Sequence, residues 1–226
     1  MKPVGLLGGT SWVSTTHYYE KLNRAYQQKL GGLHSAPMLI NSVDFAPIAK
    51  AQANEDWTTL RRILADNARG LEQAGAGSIA IGANTMHMCF DAVQSAIDIP
   101  VLHIADGIAA EIQDQPTLLL GTAYTMQKPF LLDRLRALGC DIHLPEAADQ
   151  ERIHRIIFDD LCQDRVPESA RIYFARLGEQ FEGNLLLACT ELGLVLEAGS
   201  KGANTNERII DSLDCHVTMM LKQITI

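Results

Sequence analysis

The sequence has few of the features that mark membrane, secreted or nucleic-acid-binding proteins. No apolar run approaches the roughly 20 residues that a membrane-spanning helix needs, and the N-terminal segment MKPVGLLGGTSW is too short for a signal peptide. Positive charge is also scarce, because 19 Lys and Arg residues stand against 27 Asp and Glu residues. The resulting net charge of −8 repels a phosphate backbone. We therefore expect a soluble, cytoplasmic protein that binds neither membranes nor nucleic acid.

Metal-binding and nucleotide-binding motifs are missing as well. The five cysteines form no CxxC motif and no close Cys/His pairing, so they indicate neither a disulfide framework nor a zinc site. The glycine-rich segment GLLGGTS lacks both the GxGxxG spacing and the Walker lysine. What remains is a chain of 226 residues with 47% hydrophobic side chains, enough for one large globular domain or two small ones.

The hydrophobic pattern predicts an α/β fold with mostly parallel sheets. Short apolar runs that end in Gly, Asn, Asp or Thr alternate with longer segments of helical period. The predicted strands are 4–7, 38–43, 78–82, 101–104, 117–120, 141–144, 185–188 and 208–210. The predicted helices are 12–29 with Ser11 as N-cap, 57–74, 125–138, 149–162, 167–180 and 212–223. The polar segment 197–207 is predicted to be a loop.

The two halves of the chain share one order of elements. The segments VGLLGGTSWVST and SIAIGANTMHM in the first half match TLLLGTAYTM and LLLACTELGL in the second, each giving strand, small residue, hydroxyl residue and helix. The runs VLHIAD and RIID both end in an acid, Asp106 and Asp211, before a helix. We therefore predict two pseudo-symmetric α/β/α units, one of residues 1–104 plus 209–226 and one of residues 105–208.

Ligands of such sheets bind at the carboxyl ends of the strands, so the duplication predicts an active-site cleft between the two units. Its predicted lining is Gly8, Gly9, Thr10, Ser11, Ala83, Asn84, Thr85, Thr122, Cys189 and Thr190. Cys189 follows a buried strand and precedes Thr190-Glu191, where the pattern predicts the start of a helix. The positive end of that helix would favour a thiolate, although a packed structural cysteine is the alternative. Asn84 and Thr85 at the corresponding corner would either bind a carboxylate or cap a helix.

These segments together resemble the aspartate/glutamate racemase family of cofactor-independent amino-acid racemases. The pieces that carry the resemblance are GLLGGTSW at 5–12, GGLHSA at 31–36, SVDF at 42–45, NTMH at 84–87, HIAD at 103–106, LGTAYTM at 120–126 and ACTELGL at 188–194. The resemblance implies a homodimer and an active site that uses neither pyridoxal phosphate nor a metal.

Members of that family typically carry one cysteine in each half, before Asn-Thr and before Thr-Glu, on opposite faces of the substrate α-carbon. Such a pair removes the α-proton from one face and returns a proton to the other. The resemblance makes Cys189 the acid/base of the second half and implies that the substrate is a small acidic amino acid. Gln52 matches a position near the substrate side chain, with an exposed loop glutamine as the alternative. The full set of implied substrate contacts is Gly9, Thr10, Ser11, Gln52, Asn84, Thr85, Thr122, Thr190 and Glu191.

The chain departs from the family pattern at Ala83, which stands where the first-half cysteine is expected. An alanine cannot carry a proton, so one proton carrier is missing. Four interpretations remain open. Water serves that face in an impaired or enantiomer-biased racemase; the position is engineered; the chain is a single-cysteine decarboxylase of the arylmalonate type; or it is a catalytically silent carboxylate-binding protein.

Overall fold

A computed structural model describes residues 2–112, 115–196 and 208–225, so the predicted loop 197–207 lies outside the described residues. The chain forms two compact units. The first unit contains the residues up to His103 together with those from His216 onward, and the second contains Ile104–Cys215. No helix in the described part of the chain is long and apolar enough to cross a bilayer.

The first unit is built on a four-stranded parallel sheet with the strand order β2-β1-β3-β4. Its strands are β1 Val4–Gly8, β2 Met38–Ser42, β3 Ser78–Ile81 and β4 Val101–Leu102. Its first four helices are α1 Trp12–Leu30, α2 Phe45–Ala53, α3 Trp57–Gln73 and α4 Phe90–Gln94. Ser11 caps α1 as predicted, because its side chain accepts a hydrogen bond from the Ser14 amide.

The second unit repeats this topology with the strand order β6-β5-β7-β8, again in parallel. Its strands are β5 Thr117–Leu120, β6 Ile142–His143, β7 Asn184–Leu187 and β8 Ile209–Asp211. Its helices are α5 Ile104–Ile112, α6 Ala123–Gln127, α7 Pro129–Ala137, α8 Ala147–Asp159 and α9 Glu168–Glu179. Helix α10, Ser212–Gln223, then carries the chain back to the first unit at His216. The predicted α/β class with parallel sheets is confirmed.

Two details of the predicted organisation need correction. Strand β8 pairs with β7 in the second sheet, so residues 209–215 belong to the second unit and not to the first. Asp106 does not end a strand, because β4 stops at Leu102 and Asp106 lies in the first turn of α5. There its carboxylate forms a 2.7 Å ion pair with Arg134 of α7.

The central strands are buried along their whole length in both sheets. Parallel sheets are covered by helices on both faces, which explains why these strands are continuous apolar runs. Edge strand β2 is only half-buried. The chain therefore exposes polar groups of β1, β3, β5 and β7 mainly where these strands end.

Gly9, directly after β1, lies at a point where the backbone is crowded. It has φ +82°, and a Cβ atom there would lie 2.2 Å from the carbonyl oxygen of Val43. Its amide donates to Oγ1 of Thr15 at 2.8 Å. Only glycine fits both the positive φ and the close approach of β2's end.

We expect Gly9→Ala to lower the free energy of unfolding by about 3 kcal/mol more than Gly31→Ala does. The two glycines have matched φ angles of +82° and +78°, but nothing lies within 4 Å of a Cβ at Gly31. The difference between the variants therefore isolates the steric clash. Urea unfolding of both variants measures it, and equal losses would contradict the packing described here.

Candidate active site

In the first unit, two loops lie side by side at the carboxyl ends of β1 and β3. The amide of Gly82 donates to the carbonyl of Leu7 at 2.8 Å, and Oγ of Ser14 donates to the carbonyl of Gly82 at 2.9 Å. Ser11 adopts φ 91°, a positive value that is strained for a residue other than glycine. These bonds fix the loop of Gly9, Thr10 and Ser11 against the loop that contains Ala83.

Thr10 has a polar atom with unused hydrogen-bonding capacity at this corner. The residue is 7% exposed. Within the described ranges, its buried Oγ1 has no hydrogen-bond partner. A buried hydroxyl without a partner is costly, so it is a candidate to bind a polar group of a ligand.

The corner after β3 holds Ala83, Asn84 and Thr85. Ala83 is half-buried, packs against the core of the first unit and carries no ionisable group. Asn84 and Thr85 are buried. A 3-10 turn over Thr85–Cys89 follows, and Asn84 makes no side-chain capping bond to it, so the helix-capping alternative for Asn84 is wrong.

Gln52 is not an exposed loop residue. It lies in the last turn of α2 and is 3% exposed, so the alternative of an exposed loop glutamine is wrong. Helix α2 is absent from the helices predicted above, although Asp44 caps it by accepting a hydrogen bond from the Ala46 amide. The structure thus makes Gln52 a buried polar residue of the first unit.

In the second unit, Thr122 ends the loop after β5. Its Oγ1 accepts from the Thr125 amide at 3.3 Å and lies 3.1 Å from Oγ1 of Thr125, so it caps α6. The next amide, that of Ala123, donates to Nδ1 of His154 at 3.3 Å. Sequence reasoning missed His154, because it lies on a helix whose pattern is that of an ordinary amphipathic helix and the contact spans 31 residues.

The loop after β7 brings a thiol, a hydroxyl and a carboxylate together. Sγ of Cys189 donates to Oε2 of Glu191 at 3.2 Å, and Oγ1 of Thr190 donates to the same oxygen at 2.8 Å. All three residues are buried, Cys189 being 6% exposed. The carboxylate therefore contacts the thiol directly.

The predicted thiolate of Cys189 is wrong. No α-helix begins at Thr190; the chain forms only a 3-10 turn over Leu192–Leu194, so the expected helix dipole is missing. Burial raises the pKa of Cys189 well above its usual value, and the negative charge of Glu191 raises it further. The resting group at neutral pH is the thiol.

Cys162 also belongs to the surroundings of Glu191. It follows α8 in a 3-10 turn over Leu161–Gln163 and packs against the core cluster that contains Cys189. Burial raises the pKa of Cys162, and the charge of Glu191 contributes to the same effect. Cys89 is buried in the other unit, where burial raises its pKa to about 11.

No group of three or more His, Cys, Asp or Glu side chains within the described ranges is arranged to hold a metal ion. His87 and His103 are buried and pack against each other with ring centroids 4.8 Å apart.

Comparison with known proteins gives consistent matches along nearly the whole chain. The model of the Asp/Glu/Hydantoin racemase family matches residues 7–220. The broad-specificity amino-acid racemase RacX of Bacillus subtilis (strain 168) is 26% identical over 225 residues, covering 94% of this chain and 93% of that protein.

Two crystal structures have the same fold at higher identity. A Yersinia pestis protein assigned as an Asp/Glu racemase is 35% identical with a TM-score of 0.86, and 98% of each chain is covered. An aspartate racemase homologue from Pyrococcus horikoshii OT3 is 32% identical with a TM-score of 0.82, again with 98% of each chain covered.

We expect Glu191→Gln to lower the pKa of Cys189, because it removes the neighbouring negative charge that disfavours the thiolate. The pH midpoint for alkylation of Cys189 by iodoacetamide, followed by peptide mass spectrometry on folded protein, should fall by roughly one pH unit or more. Glu151→Gln, at an exposed position on α8, is the matched control and should leave the midpoint in place. Equal midpoints in both variants would contradict a charge effect of Glu191.

Proposed function

We propose, on the premise that the chain belongs to the Asp/Glu/Hydantoin racemase family, that it is an amino-acid racemase in which Cys189 exchanges a proton with the substrate α-carbon without a cofactor. The observation that carries this proposal is the 3.2 Å hydrogen bond from the buried Cys189 thiol to the carboxylate of Glu191. A buried thiol beside a carboxylate is a proton donor with its own acceptor already in place.

The proposed cycle begins with the thiol, because its raised pKa keeps the proton on sulfur. The Cys189 proton moves to Oε2 of Glu191, and the thiolate then removes the α-proton of the substrate. The electron pair of the broken C–H bond is delocalised into the substrate carboxylate as an enolate-like dianion. Return of that proton from Cys189 restores the starting enantiomer, and Glu191 then gives its proton back to sulfur. A proton from water on the other face inverts the centre instead, and the hydroxide that remains takes the proton held by Glu191.

The contacts of Glu191 and Thr190 change their proposed roles. Both were expected to bind substrate, but Glu191 contacts the catalytic thiol, and the Thr190 hydroxyl donates to Glu191 at 2.8 Å. We assign Glu191 as the proton acceptor of Cys189 and Thr190 as the residue that orients it. Thr122 is similarly occupied, since it caps α6.

The developing dianion needs hydrogen-bond donors, which is where most of the catalytic stabilisation in such reactions arises. Thr10 is the strongest candidate, because its buried Oγ1 has no hydrogen-bond partner within the described ranges. The backbone of Gly9 and Ser11 places that hydroxyl. Asn84, Thr85 and Gln52 complete the proposed substrate contacts.

Ala83 determines the expected enantiomer behaviour. The family pattern puts the second proton carrier at this position, and a methyl group supplies no proton. Exchange of the α-proton by Cys189 should therefore be faster than racemisation, and it should favour one enantiomer. We propose a small acidic amino acid as substrate and a cytoplasmic homodimer as the functional form, both from the family resemblance.

The test is incubation with L-Asp, D-Asp, L-Glu and D-Glu in deuterated water, with NMR for α-proton exchange and chiral chromatography for racemisation. We expect exchange of one enantiomer, a loss of at least about 100-fold in Cys189→Ala, and full activity in the control Cys140→Ala. Ala83→Cys should raise racemisation relative to exchange, because it restores a carrier.

Other results would point to other chemistry. Exchange that survives Cys189→Ala would remove Cys189 from the mechanism. Tight amino-acid binding without any exchange would favour a carboxylate-binding protein, and carbon dioxide release from an arylmalonate would favour a decarboxylase.

A further inference from the structure

Three buried histidines from separate segments meet in the first unit. His87 lies in the 3-10 turn after β3, His103 follows β4, and His216 lies in α10. The ring centroid of His87 is 4.8 Å from that of His103 and 5.8 Å from that of His216. We call these residues the histidine cluster.

His216 lies at one end of the histidine cluster, and its two hydrogen bonds define its tautomer. Its Nε2 lies 3.0 Å from the carbonyl oxygen of Leu102, which can only accept, so Nε2 carries the proton. Its Nδ1 then accepts from the hydroxyl of Tyr18 at 2.9 Å. Burial lowers the pKa of His216 to about 3, so this ring is neutral at physiological pH.

His87 forms two hydrogen bonds to the corner after β3. Its backbone amide donates to the carbonyl of Asn84 at 3.0 Å. Its Nδ1 lies 3.0 Å from the carbonyl oxygen of Ala83, and because a carbonyl only accepts, Nδ1 is the donor. The ring and the backbone amide of His87 thus donate hydrogen bonds to two consecutive carbonyl groups of the candidate site.

These two hydrogen bonds set the direction of the neighbouring backbone amides. The described residues contain no cis peptide bond, and in a trans peptide the C=O and N–H groups point in opposite directions. Fixing the Ala83 carbonyl therefore fixes the N–H of Asn84, and fixing the Asn84 carbonyl fixes the N–H of Thr85. Both carbonyl oxygens, which would repel an anion, are turned toward His87.

We propose that His87 is a positioning residue whose ring orients the amide of Asn84, so that it forms a donor pair for the substrate carboxylate with the Thr85 amide, which the backbone bond of the 3-10 turn orients. The proposal rests on the proposed function, since it supplies the carboxylate. His87 acts through the backbone and touches no reacting atom. A role in packing alone would be filled by any side chain of similar volume, whereas this role requires a donor at the Nδ1 position.

The experiment compares His87→Leu, which removes the donor, with His87→Asn, whose amide nitrogen is as many bonds from Cβ as Nδ1 is. We expect His87→Leu to lower kcat/KM for α-proton exchange at least about 10-fold and to raise KM. The reason is that a misoriented amide no longer donates a hydrogen bond to the carboxylate, either in the bound substrate or in the transition state. His87→Asn should stay within about 3-fold of the parent. His87→Gln, one bond longer, should resemble His87→Leu.

Tyr18→Phe is the control for the cluster as a whole. It removes the Tyr18–His216 bond at the far end, so it should lower the melting temperature without changing exchange per folded molecule. Any of three results would overturn the proposal. His87→Leu could retain the kcat/KM of the parent, or His87→Asn could lose as much kcat/KM as His87→Leu does. Tyr18→Phe could also lose as much exchange activity per folded molecule as His87→Leu does. If His87→Leu does not fold, His87→Asn against His87→Gln decides in the same way.

A parent chain that exchanges no amino-acid proton would defeat the proposed function separately. Calorimetric titration with L-aspartate then tests the inference on its own: His87→Asn should bind as the parent does, and His87→Gln should bind at least about 10-fold more weakly. Equal affinities, or no binding by the parent, would overturn it.

Discussion

Parallel pairing of the two central strands in each sheet is the constraint on which both corners depend. Leu7 is in register with Ile81, and Leu120 is in register with Leu187. The paired strands therefore end at the same level, and the loops that follow them lie side by side. Equivalent bonds close both corners, from the Gly82 amide to Leu7 and from the Ala188 amide to Leu120. Residues far apart in sequence become neighbours because the ladders end together.

The two corners share this backbone plan but differ in ionisable groups. The first contains amides, hydroxyls and the side chain of Asn84, together with the methyl group of Ala83, which packs against the core of the unit. The second buries a thiol and a carboxylate in direct contact. Burial and like charge, not a helix dipole, set the protonation of Cys189. The repeated topology is thus one scaffold on which the two halves carry different chemical groups.

Much of the fold follows from sequence periodicity, because buried parallel strands are continuous apolar runs and their helices end at glycines. Helix α1 and its Ser11 cap, and the limits of α10, match the predictions. The errors have local causes. Helix α2 is short and contains Pro47, and Pro129 starts a new helix that divides the predicted segment 125–138 into α6 and α7.

The candidate site was predictable as a set of loops but not as a set of bonds. Spacing predicts Cys189 and Thr190 at the end of a strand, but it does not predict that the Glu191 carboxylate turns back to accept a hydrogen bond from each of them. The same holds for Gln52, whose polar neighbours in the sequence suggest an exposed loop. It also holds for His154, whose hydrogen-bond partner lies 31 residues away. Side-chain partners of this kind depend on tertiary contacts that no local pattern encodes.

The bond from His87 to the carbonyl of Ala83 also bears on how such a protein changes over generations. The acceptor is a main-chain carbonyl, which every amino acid has, so this bond and the shape of the corner do not depend on the side chain at position 83. The side chain at position 83 can therefore change while the surrounding backbone keeps its course. The fold thereby separates the side chain at this position from the backbone that presents it, so that single substitutions can change the chemical groups of the corner without rebuilding its frame.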